Sequence, residues 1–161
     1  MNVQLIALNP ASTQYKELNV SEWAWAPIRS MLAIANHIEH KETGVLPLPY
    51  SYFKELDENM GEGISCPKTC LQLAKRLREL SCSPEVIEDH GMTVDLIDGE
   101  FMFTFPSEIC TSAMQHKVKK CLVNSKVEKD FDSVCSILRA TENDLSEVID
   151  FMLNSGGFLM P

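Results

Sequence analysis

Apolar residues return every three to four positions along SEWAWAPIRSMLAIANHIEH, residues 21–40. Ile28, Met31, Leu32, Ala35 and Ile38 share one face, which predicts a long helix. Pro27 either opens that helix in its first turn or kinks a longer one, because it has no N–H to donate further in. The same spacing recurs in Cys70, Leu73, Ala74, Leu77 and Leu80, with Lys68, Gln72, Lys75, Arg76 and Glu79 on the opposite face. Ser65 is the expected N-cap of this second helix, with Pro67 in its first turn and Ser83-Pro84 at its end.

The period then changes from 3.6 to 2. In TVDLIDGEFMFTF, residues 93–105, Asp98-Gly99 forms a two-residue hairpin turn, since glycine tolerates the positive φ required there. That turn pairs Ile97 with Glu100, Leu96 with Phe101 and Val94 with Phe103. The apolar members of the last two pairs then share one side, so register and pattern agree. A lone hairpin is marginal in water and needs helices to pack on.

Helical spacing resumes from Ser107 to about Lys129, with Cys110, Ala113, Met114, Val118, Cys121 and Leu122 inward, and again at Phe131, Val134, Cys135 and Leu138. Asp144 and Glu147 form an aspartate version of the capping box ahead of Leu145, Val148, Ile149, Met152 and Leu153. Gly156-Gly157 terminates that helix. NVQLIAL near the start reads as a short strand, TGVLPLPY (43–50) as an extended connector, and YSYFKELDEN as a brief helical turn. The fold class expected is α+β: one mainly helical domain over residues 1–161, with about five helices and a small β-hairpin near residues 93–105.

Composition narrows the setting. The 161 residues are 45% hydrophobic and 23% charged, ordinary for a folded domain. No run approaches the roughly 18 apolar residues of a membrane helix, and no basic leader precedes the first apolar stretch. A cytoplasmic protein with no signal peptide and no membrane contact is therefore expected. Five of the six cysteines, Cys66, Cys70, Cys110, Cys121 and Cys135, fall at apolar or helix-start positions, as free, mostly buried thiols do. The net charge of −9 is uneven. Glu79, Glu85, Glu88, Asp89, Asp95, Asp98, Glu100 and Glu108 follow one another without a Lys or Arg between. Such a body repels nucleic acid and anionic lipid and suits a basic protein partner.

The stretch ENMGEGISCPKTC, residues 58–70, is the nearest thing to a chemical motif. Gly61 and Gly63 give only G-x-G, without the Lys-Ser/Thr pair of a P-loop, and Glu55, Asp57, Glu58 and Glu62 would repel a phosphate. Cys66 lies in the first helical turn, where the helix dipole favours a thiolate, and Cys70 lies one turn on. C-x3-C is not the C-x-x-C of thioredoxin-like proteins. Zinc would need a second ligand pair, for which His37 and His40 are the candidates beside Cys66 and Cys70. E88-D89-H90 reads as a solvated turn, and the basic run at residues 75–78 as the wet face of a helix. No catalytic residues and no cofactor are assigned.

WAWAP sets Trp23 and Trp25 two residues apart, so they cannot share one helix face; a core pair and an exposed interface anchor are the alternatives. W25-A-P27, N59-M-G61 ahead of L73-A74-K-R-L77, and F151-M-L-N-S155-G156-G157-F158 together resemble a pattern in small uncharacterised bacterial and phage cytoplasmic proteins. The resemblance implies a bacterial or phage cytoplasmic domain and brings no activity. It also implies that the glycines turn the chain so that Phe158 and Leu159 pack back.

The function expected is that of an acidic, non-enzymatic interaction protein of the immunity, antitoxin or inhibitor kind, neutralising a basic partner surface. Its contact residues would be Asp57, Glu58, Glu62, Glu88 and Asp89, with Trp25 or Tyr52 as an aromatic anchor. The alternative is a small thiol- or metal-dependent enzyme or sensor built on Cys66, Cys70 and a histidine.

Overall fold

In the first strand, β1 (Asn2–Ala7), Val3 and Leu5 are buried while their neighbours are not, the alternation of a sheet with one covered face. A computed structural model describes residues 2–56, 63–104 and 139–161. β1 is the middle strand of an antiparallel sheet, with β2 (Glu17–Ser21) on one side and β6 (Phe158–Leu159) on the other. Val3 faces Val20 and Leu5 faces Leu18, while Ala7 faces Phe158. A second antiparallel sheet orders β3 (Thr93–Ile97), β4 (Glu100–Thr104) and β5 (Arg139–Thr141). The hairpin has the expected register, Ile97 opposite Glu100 and Val94 opposite Phe103, across Asp98 (φ 52°) and Gly99 (φ 80°).

Helix α1 (Glu22–Thr43) begins on Ser21, whose hydroxyl accepts the Trp23 N–H at 3.3 Å, and ends at Gly44 in the left-handed region. Pro27 lies inside α1, beyond its first turn, so the Trp23 carbonyl loses its usual helical donor. Every residue from Ala24 to Leu32 is buried, which makes α1 the central element, enclosed on all sides. Three of its buried side chains serve the segment that follows. The Trp25 indole N–H donates to the Leu56 carbonyl (2.8 Å) and Arg29 to the Phe53 carbonyl (3.2 Å). Asn36 both donates to the Leu48 carbonyl (2.8 Å) and accepts the Leu48 N–H (2.9 Å). That segment carries the short α2 (Tyr52–Glu55), the expected helical turn.

Helix α3 (Pro67–Ser81) buries Cys70, Leu73, Ala74, Leu77 and Leu80, as the spacing predicts. Its N-cap is Cys66, not Ser65, because Pro67 occupies the first helical position and fixes the boundary one residue later. A short α4 (Pro84–Asp89), not expected from the pattern, follows with Ile87 buried. Helix α5 (Glu142–Ser155) has its capping box on Thr141 and Asp144, one turn earlier than Asp144 and Glu147. The Asp144 N–H donates to the Thr141 hydroxyl (3.1 Å), and the Thr141 N–H to the Asp144 carboxylate (3.0 Å). The mixed α+β class holds, but its detail differs from the expected five helices and one hairpin. The described residues contain two three-stranded sheets, and the helices expected over 107–129 and from residue 131 lie outside them.

One hydrophobic cluster joins Val3 and Leu5 of β1 to α1, α3 and α5 and to Phe103 of β4. Beyond α5 the chain closes back on itself. Leu8 and Asn9 donate their N–H groups to the carbonyls of Gly157 and Ser155, both at 2.9 Å, and Phe158 donates to Ile64 (3.0 Å). A Cβ on Gly157 (φ 94°) would stand 2.5 Å from the Ser65 carbonyl oxygen, and one on Gly63 would run into the carbonyl of Phe158. Phe158 is fully buried, whereas Leu159 is exposed.

On the outer side, Arg76 latches α3 to α1. Its guanidinium reaches Glu39 (2.8 Å), Glu79 (3.0 Å) and Glu42, while Gln72 donates to the other Glu39 oxygen (2.8 Å). Arg76 is thus a half-buried tie and not part of a wholly solvated face. Burial pushes the Glu39 carboxyl up, but the hydrogen bonds from Gln72 and Arg76 and the Arg76 charge together hold it below the ordinary value.

Two stability outcomes are expected. Gly157→Ala loses about 2–4 kcal/mol through its positive φ and the Ser65 contact, whereas Gly99→Asn, with open space around it, changes stability by no more than about 1 kcal/mol; urea melts read both. Arg76→Ala, which leaves buried Glu39 facing only Gln72, costs about 2–4 kcal/mol and more than Glu39→Gln. Because Glu39's folded value is depressed, its contribution is complete above the ordinary glutamate range and disappears as pH falls through the folded value. Wild type and Glu39→Gln therefore converge in stability in strong acid.

Candidate functional site

Cys66, at the N-cap of α3, is exposed rather than buried, and the mainly buried thiol expected here is Cys70. The Cys66 side chain closes no cap hydrogen bond, yet the Thr69 hydroxyl, the N–H groups of Thr69 and Lys68 and the Lys68 charge draw its thiol below the ordinary value. Cys70 behaves oppositely. Burial pushes its thiol up, and its sulfur lies 3.5 Å from the Met152 carbonyl and 3.7 Å from the Ser155 hydroxyl, against the last turn of α5. The two cysteines are one surface thiol and one packing group.

The histidines named beside them belong elsewhere. His37 Nδ1 lies 2.9 Å and His40 Nδ1 3.4 Å from the Tyr50 hydroxyl, so both rings fasten the connector to α1. His90 stands edge-on to His37, with ring centroids 6.3 Å apart. Among the described residues, no three His, Cys, Asp or Glu side chains are grouped to hold a metal ion, so Cys66, Cys70, His37 and His40 do not make one centre. Gly63 leaves room for the Phe158 backbone, which gives the described end of the glycine stretch a packing role.

Of the expected partner-binding residues, the structure describes Trp25, Tyr52, Glu88 and Asp89. Trp25 is buried, 1% exposed and hydrogen-bonded to Leu56, so it is a core residue and offers no exposed anchor; Trp23 is half-buried. Tyr52 is half-buried, and its hydroxyl donates to the Gly63 carbonyl. Glu88 and Asp89 are exposed at the end of α4. Asp57, Glu58 and Glu62 lie outside the described residues.

A different acidic feature appears between β2 and α5. Glu17 and Leu18, Glu147, Asp150 and Phe151, with Gln14 and Tyr15, line an open cleft of about 280 Å³. Its carboxylates are held by neutral donors. The Tyr15 hydroxyl donates to Asp150 (3.1 Å), Gln4 to Glu17 (3.1 Å) and Asn143 to Glu147 (3.5 Å). Among the described residues, no Lys or Arg lines the cleft. An apolar floor of Leu18 and Phe151 beneath carboxylates suits a side chain with an aliphatic stem and a cationic head. Sequence reading missed this site because Glu17 and Asp150 meet only through folding. The Glu147–Asp150 spacing on one helix was the sole local signal.

In comparisons with known proteins, no family model, no curated protein and no solved structure matches this chain. Among the described residues, no helix is long and apolar enough to cross a membrane.

Peptide-resolved alkylation of the native protein at neutral pH should label Cys66 faster than the equally free and exposed Cys82, and leave Cys70 protected. A lowered thiol value means more thiolate at a given pH, so the Cys66 advantage grows as pH falls from 9 to about 7. Thr69→Ala removes the leading cause and should slow Cys66 labelling without exposing Cys70.

Proposed function

We propose that this chain is an acidic, non-enzymatic interaction protein that covers a basic surface of a protein partner, in the manner of immunity, antitoxin or inhibitor proteins. The observation that carries the reading is the β2–α5 cleft, three carboxylates over an apolar floor with no Lys or Arg lining it among the described residues. The net charge of −9 supports it from a distance by steering a basic partner toward the surface. In this reading the cleft receives a Lys or Arg of the partner, while Glu88, Asp89 and the acids at 57, 58 and 62 extend the negative field. Nucleic acid is disfavoured by the same charge. The bacterial or phage cytoplasmic setting implied by the motif resemblance belongs to this proposal.

A second reading, a thiol-dependent enzyme or sensor, is favoured by the exposure of Cys66 and its depressed thiol value. It rests on Cys66 alone, since Cys70 is committed to α5 and His37 and His40 to Tyr50.

Native mass spectrometry of the gently purified protein should show a stoichiometric adduct with a basic protein. Glu147→Lys with Asp150→Lys, both at exposed positions, should weaken that complex by at least about ten-fold and flatten its salt dependence, while a cooperative melt shows that the fold survives loss of the Tyr15–Asp150 hydrogen bond. A complex indifferent to both substitutions and to salt would end this assignment.

A further inference from the structure

Arg76 takes up the carboxylates that the α1–α3 pair offers on its outer side. Glu39 and Glu42, in the last turns of α1, and Glu79, the one carboxylate of α3, all bond to it. Lys68 and Lys75 of α3 are exposed and have no ion pair among the described residues. They lie seven residues apart on one face of the helix, about 10 Å at 1.5 Å per residue. With Leu71 and Gln72 between them, and with Thr43 and Val45 from the end of α1, they line an open groove of about 430 Å³. Among the described residues, no carboxylate lines it. Leu71 is 39% exposed and Val45 66%. In a chain of net charge −9, this surface has the opposite sign to the whole and an apolar centre.

The apolar centre decides which kind of anion fits. A nucleic-acid backbone offers no apolar group between its phosphates to cover Leu71, and the net charge of the chain repels so dense a polyanion. The same charge repels an anionic bilayer. A peptide with carboxylates on either side of apolar side chains answers both the lysines and Leu71, and it carries few charges for the rest of the chain to repel. At about 0.15 M salt the Debye length is about 8 Å, so the two lysines set the field inside the groove.

We propose that the α1–α3 groove binds an acidic amphipathic helix of a partner protein. Two carboxylates seven residues apart on that helix repeat the 10 Å spacing of Lys68 and Lys75. Apolar side chains three and four positions after the first carboxylate pack on Leu71 and Val45. Two turns of helix cover less surface than a standard stable interface of about 1,200 Å² or more, so the contact is weak and sensitive to salt. It uses no residue of the β2–α5 cleft and stands or falls separately from the basic partner proposed there.

The probe is a fluorescein-labelled, Ala-rich peptide of about 18 residues, long enough to form helix in water, with Glu at positions i and i+7 and Leu at i+3 and i+4. Anisotropy titration with the full chain should show saturable binding that weakens as salt is added. Peptides with Gln for Glu, or with Ala for Leu, should each bind at least about five-fold more weakly. Lys68→Glu with Lys75→Glu should weaken binding by at least about ten-fold, and Lys75→Glu alone by about three-fold. Lys16→Glu, the same charge change at an exposed lysine outside the groove, should leave binding as it was. All three lysines are exposed, and thermal melts confirm the fold of each variant. No saturable binding overturns the proposal, as does binding that survives the double substitution or falls equally with Lys16→Glu. A single-stranded oligonucleotide or a phosphatidylserine vesicle that binds more tightly than the peptide, with the same dependence on Lys68 and Lys75, overturns it too.

Discussion

Trp25, Arg29 and Asn36 fall on one side of the central helix α1, and each of the three holds a backbone group of residues 48–56. A helix enclosed on all sides needs a covering segment, and a covering segment without regular structure needs partners for its own N–H and C=O groups. Side chains four and seven positions apart answer both needs. They carry donors to the carbonyls of Leu56, Phe53 and Leu48 and so fix how that stretch crosses α1. The histidine pair on Tyr50 continues the same arrangement toward solvent. The placement of α2, the approach to Ile64 and the start of α3 all follow from this crossing.

At the far side of the core the constraint is one of absence of side chain. Gly63 and Gly157 let three backbone segments, around residues 8, 64 and 157, pass close enough to exchange hydrogen bonds. Cys70 lies nearby as a small, soft filler against the last turn of α5, which is why a thiol in a suggestive spacing is chemically quiet. Cys66, only a turn away in sequence, faces water because the chain has not yet entered the helix. Neighbouring cysteines thus acquire opposite characters from one helical boundary.

What the sequence made legible was local. The Asp98-Gly99 turn dictated the hairpin register down to individual pairs, and 3.6-residue spacing marked the buried faces of α3 and α5, whereas α1 is buried all round over Ala24 to Leu32 and not on one face alone. Helix starts were less legible. Thr141-x-x-Asp144 and Asp144-x-x-Glu147 satisfy the same capping rule, and only the pairing of β5 with β4 decides between them. Ser65 is the better capping side chain than Cys66, but Pro67 overrides it. Trp25 was open to either reading, since an indole that meets a carbonyl 31 positions away leaves no mark in its own neighbourhood. The cleft of Glu17, Glu147 and Asp150 was invisible for the same reason. Its members come together only when α5 docks against β2.

The central position of β1 in its sheet has a consequence for the order in which the molecule is made. β1 and β2 emerge early from the ribosome, but β6, which completes that sheet beside β1, includes Phe158 and Leu159. A two-stranded ribbon is marginal in water by itself. Until β6 has joined, Ile6 and Ala7 are paired on the β2 side alone, and the space beside Gly63 where the Phe158 backbone runs is unfilled. The sheet and the core therefore share one closing element, since the strand that completes β1's pairing also brings in the fully buried Phe158.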